Sequence, residues 1–134
     1  MPFYIRARTY FKYAEEQMSL AEKEKDPEKI LKFTLEAAER AVRALWAIVQ
    51  VEAPKEKPPL EKILAEIDKA CEPDLAEEIK NHVRRIKELA QNPSVEAAKE
   101  ALILSRQVVR RTREVLEPII GPAKRVDQHR RFYF

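Results

Sequence analysis

At 134 residues with a net charge of +3, and with roughly 100 to 200 residues to a typical domain, the chain is bounded to one compact domain that can hold a core without staples. One glycine and two asparagines are too few for the tight turns of a β-sandwich or barrel, and for the phosphate-cradling loops of a dinucleotide or P-loop site. A single cysteine excludes a disulfide framework and a cysteine-based zinc cluster.

Prolines punctuate what remains, because proline is tolerated in the first turn of a helix and breaks it elsewhere. Pro27, Pro59, Pro73 and Pro93 each stand just ahead of a periodic apolar segment, with Asp26 and Asn92 suited as N-caps. Five helices are predicted, over about residues 3–25, 27–52, 59–71, 73–91 and 93–117.

The first carries Tyr10 and Phe11 on one face with Ala7, Ala14 and Met18, which argues for core. The second has a stripe of Ile30, Leu31, Thr34, Ala37, Ala38, Ala41, Leu45 and Ile48. Leu35, Val42, Trp46 and Val49 widen it past half the circumference. A helix so apolar needs partners on several sides, which places it at the centre of a bundle. In the third, Leu60, Ile63, Leu64 and Ile67 make a stripe that Cys71 continues, so its thiol is expected to be buried. Leu75, Ile79, Val83, Ile86 and Leu89 mark one face of the fourth. The fifth repeats Ala98, Ala101, Leu102, Ser105, Val108, Val109, Thr112, Val115, Leu116 and Ile119. Gly121-Pro122, after Pro118, ends it and leaves residues 121–134 as a basic, aromatic tail after a bundle domain of residues 1–120.

The longest apolar run, Ala44 to Val49, is too short to span a membrane. With no apolar leader at the start, a cytoplasmic protein is expected. Abundant Glu, Lys and Arg with little Gly, Asn or Cys is the balance of a thermophile's protein.

Charge is uneven: residues 84–134 hold 12 Lys/Arg against 6 Asp/Glu, whereas residues 1–83 hold 14 against 17. Lys99, Arg106, Arg110 and Arg113, spaced seven, four and three apart, share one face of the fifth helix opposite its apolar stripe. Arginine grips phosphate with a bidentate fork, so this ridge, reached also by Arg130 and Arg131, is the expected phosphate or nucleic-acid site. The competing reading is a solvated face partly neutralised by Glu114 and Glu117. Phe132, Tyr133 and Phe134 in a row are expected to dock on the bundle or on a partner subunit.

The opening pair of helices, with Ala7 to Ala14 leading through Asp26-Pro27 to Glu36-Ala-Ala-Glu-Arg-Ala-Val-Arg-Ala-Leu45, resembles the start of HEPN-domain proteins. A short third helix and a long last one extend that similarity over about residues 5–117. The resemblance implies an all-α, five-helix antiparallel up-and-down bundle with a C-terminal tail. The wide apolar girth of the second helix and the Phe132-Tyr-Phe134 end predict a homodimer, one that binds nucleotide, RNA or a companion protein, which the resemblance implies is a small nucleotidyltransferase in an antitoxin-like pair.

Two departures bear on activity. The connection between the second and third helices is Ala53 to Pro59, without the Gly and His often found there in the family. Ribonuclease members of the family place four to six residues between an Arg and a His. Arg125 and His129 have three between them, and Lys124 stands where the spacing would be met. A metal-independent ribonuclease would need a base and a cation of these types, so His129, Arg125 and His82 are its catalytic candidates. His82 borders the stripe of Ile79, Val83 and Ile86, which fits a partly buried structural role. The favoured expectation is a non-catalytic binding module with no cofactor and no metal; a dimeric scaffold without ligand is the further alternative.

Overall fold

A computed structural model describes residues 4–50 and 58–121. Those residues form α1 (Tyr4–Lys23), α2 (Pro27–Val49), α3 (Leu60–Ala70), α4 (Pro73–Gln91) and α5 (Val95–Ile120), with no strand among them. The fold is an all-helical bundle.

Local chemistry sets most of the helix ends. Asp26 caps α2 by accepting the Glu28 N–H, with Pro27 in the first turn. In the same corner the Glu24 carboxylate accepts the N–H groups of Asp26 and Lys25, and these hold its carboxyl below the ordinary range.

The expected start of α5 is displaced. Asn92 does not cap it; its N–H closes α4 on the Leu89 carbonyl. Ser94 is the cap, its hydroxyl accepting the Ala97 N–H at 3.0 Å. Pro93 favours extended backbone at Asn92, so the helix nucleates at the next residue able to satisfy a free N–H.

Helix α5 also passes through Pro118 and ends at Ile120. Proline forfeits one backbone donor, and the final turn is closed from outside: the Arg8 guanidinium donates to the Ile120 carbonyl at 2.6 Å. Gly121 then takes φ +79° and donates to the Glu117 carbonyl. A Cβ there would meet no atom, so the preference for glycine is conformational.

Helix α2 touches all four other helices. Its wide apolar girth is therefore covered by the chain's own helices, with Leu31, Val42 and Leu45 almost wholly buried and Trp46 4% exposed. The Trp46 indole N–H donates to the Glu66 carboxylate on α3, and Arg43 reaches the Pro58 carbonyl. Its most extensive contact is with α1, whose buried side is largely alanine at positions 7, 14 and 21, with Phe11 and Met18 between them. Small side chains let helix axes approach closely, and α1 is drawn onto α2. Tyr10 packs against this core while Tyr13 remains exposed under Arg40. Cys71 is half-buried, and the desolvation raises its thiol pKa.

Candidate functional site: the groove between the first and last helices

Three contacts link α1 to α5 at a constant interval. Arg8 meets the Ile120 carbonyl, Glu15 meets Arg113 at 2.9 Å, and Glu22 meets Arg106 at 3.8 Å. Each step of seven residues forward in α1 is a step of seven back in α5, two helical turns or about 10.5 Å along the axis. Both helices thus present one row of side chains to the seam. Between these rows lies a groove of about 390 Å³, lined by Glu15, Met18, Ser19 and Glu22 from α1 and by Arg106, Val109, Arg110 and Arg113 from α5.

The floor is apolar, since Val109 is 3% exposed and Met18 5%. The walls are charged. The Arg113 guanidinium is the most fixed, bonded to Glu15 and lying 5.8 Å from the Phe11 ring centroid. Arg106 holds Glu22 more loosely, and among the described residues Arg110 is paired only with Glu114 on its own helix, at 3.9 Å. Arg110 is also the most open of the three, its side chain 64% exposed.

Three residues of the expected ridge, Arg106, Arg110 and Arg113, therefore come together in one groove. Lys99 is exposed on α5 but does not line it. Arg125, His129, Arg130 and Arg131 lie outside the described residues. Neutralisation of the ridge comes mainly from α1: Glu15 and Glu22 supply the carboxylates, with Glu114 on Arg110. The sequence did carry a signal for this. Glu15 and Glu22 are seven apart, as are Arg106 and Arg113, but the pairing appears only when α1 and α5 are known to be neighbours.

On its opposite side α5 meets α4 through a second set of polar contacts. Arg111 bonds Glu78 at 3.0 Å and also Glu114; Arg85 bonds Glu100 at 2.6 Å and also Glu88. Between those pairs His82 Nε2 and Gln107 Oε1 are 2.6 Å apart. The Arg85 guanidinium holds the Glu100 carboxyl below its ordinary range. His82 thus joins two helices, and the cations on either side of it are already bound to carboxylates. Among the described residues no group of His, Cys, Asp and Glu is placed to hold a metal ion, and no helix is long and apolar enough to cross a membrane.

Compared with protein-family models, curated proteins and solved structures, the chain matches none.

Proposed function

We propose that the chain is a non-catalytic helical binding module that takes a phosphate-bearing ligand of nucleotide size in the α1–α5 groove. The groove itself carries this reading. Its volume of about 390 Å³ falls in the range of small-molecule sites, roughly 300–1,000 Å³. Three arginine forks suit phosphate oxygens, the Met18 and Val109 floor suits a flat, weakly polar base, and the Ser19 hydroxyl can donate or accept. Calorimetric titration with ATP tests it: binding should weaken with added salt and fall sharply in Arg106→Ala/Arg110→Ala. Binding indifferent to both changes would reduce the groove to an ordinary solvated seam.

The wider reading is a HEPN-like antiparallel up-and-down bundle, homodimeric, paired with a small nucleotidyltransferase. It is supported by the Glu36–Leu45 stretch and by the order of five helices with a short third and a long last. Ile5, Tyr13 and Leu20 of α1, all exposed, support its homodimeric part. Sedimentation at tens of micromolar should show the dimer, and monomer alone would remove it.

A further inference from the structure

We infer that Glu15 and Glu22 are resident competitors in this groove, internal carboxylates that occupy two of its arginine forks and must be displaced by an incoming anion. The inference rests on the phosphate-binding reading and adds to it what the ligand must carry. Glu15 and Glu22 come from α1, whereas the forks they hold come from α5, so the occupied state is a contact between helices. Their spacing matches that of Arg113 and Arg106, with Arg110 between and open to solvent.

A ligand with one anionic group can reach Arg110 without disturbing either pair. To gain the other two forks it must offer further anionic groups on both sides of the one at Arg110, toward Arg106 and Arg113, which stand seven residues apart on the helix. Each fork gained by the ligand frees one carboxylate, which must then turn to water, so the exchange is favoured only where several phosphates act together. The two exchanges are unequal. Glu22, 48% exposed and 3.8 Å from Arg106, yields first; Glu15, 29% exposed and 2.9 Å from Arg113, yields last. The geometry points to a nucleoside polyphosphate, preferred to the monophosphate because only several phosphates reach all three forks, and opposed by the two glutamates it must displace.

Calorimetry with ATP and AMP on the wild type, Glu22→Gln, Glu15→Gln and the double variant tests this, with thermal unfolding confirming that each variant is folded. An exposed ion pair contributes up to about 1 kcal/mol, so each glutamine should tighten ATP binding by roughly two- to fivefold. The double variant should gain about tenfold for ATP, with AMP, which displaces neither carboxylate, gaining less.

If the wild type binds ATP through its arginines but no glutamine variant binds either nucleotide more tightly, the competitor role is refuted and the binding site stands. If neither the wild type nor any variant binds ATP, both fall. Should Glu15→Gln fail to fold, Glu22→Gln alone decides, because its carboxylate lies at the more open end. A silent wild type that gains ATP binding in that variant would establish the competitor directly.

Discussion

Helices α2 and α5 are the two longest in the fold, at 23 and 26 residues, and they treat polar atoms in opposite ways. In α2, surrounded by the other four helices, each buried polar group is tied to a fixed partner nearby: Thr34 donates to the Leu31 carbonyl, Arg43 to Pro58, Trp46 to Glu66. In α5 the charged residues stand in rows at both edges, and their partners are partly exposed side chains of α1 and α4. The backbone carbonyls that serve Thr34 and Arg43 are part of the fold itself, whereas a half-exposed carboxylate beside α5 can give way to another anion. The central helix therefore holds the fold, and the flanking one carries contacts that can be exchanged.

The strongest way to break that contrast is at the centre. Leu45, fully buried in α2, is expected to cost about 2–5 kcal/mol on change to alanine, read as a lower midpoint in urea; a loss no larger than that of a surface substitution would mean α2 is not the centre. A smaller loss is expected where the two helices meet. The Ser105 hydroxyl of α5 donates to the Thr34 carbonyl at 2.8 Å in a buried position. Ser105→Ala should therefore lower stability by about 1 kcal/mol, and an unchanged midpoint would show that the bond adds nothing.

Thr112 sharpens the comparison with the opposite sign. It is fully buried in α5, and its hydroxyl finds no partner among the described residues. Valine has the same shape without the unsatisfied group, so Thr112→Val should be neutral or stabilise by up to about 1 kcal/mol. A clear loss would reveal a polar contact at that position.

The smallest effect is expected at the rim of α2. Desolvation, with Glu36 next in importance, raises the Glu39 carboxyl pKa, against the opposing pull of Arg43, Lys87 and Arg40. The folded protein then holds this proton to higher pH than the unfolded chain does. Stability is accordingly lost as pH rises from the ordinary carboxylate pKa through the folded value. Glu39→Gln should unfold later than the wild type at neutral pH, with the two curves converging in acid. Parallel curves across that window would place the raised pKa in error.

How much of this could be read in advance follows from where each signal resides. Helix starts at Pro27 and Pro73, and the central place of α2, were legible because they depend on adjacent residues or on one helix's own periodicity. The starts and stops of α5 were less so. Asn92 and Ser94 are both good caps by composition, and only the geometry around Pro93 selects between them. The Ile120 carbonyl at the end of α5 is met by Arg8, 112 residues away in the chain. The arginine ridge was visible along α5, but its counter-ions were not, since Glu15 and Arg113 are 98 residues apart and nothing local to either names the other.

The Arg8 contact also constrains the order of assembly during synthesis. Helices α1 and α2 emerge early and can pair while translation continues, but the side of α1 bearing Arg8, Glu15 and Glu22 faces water until α5 has been made and has left the ribosome. Contacts of such long sequence separation form late, after the entropy of closing nearly the whole chain has been overcome. The groove is thus the last surface of the bundle to appear, and a nascent chain cannot present it before its helical core is complete.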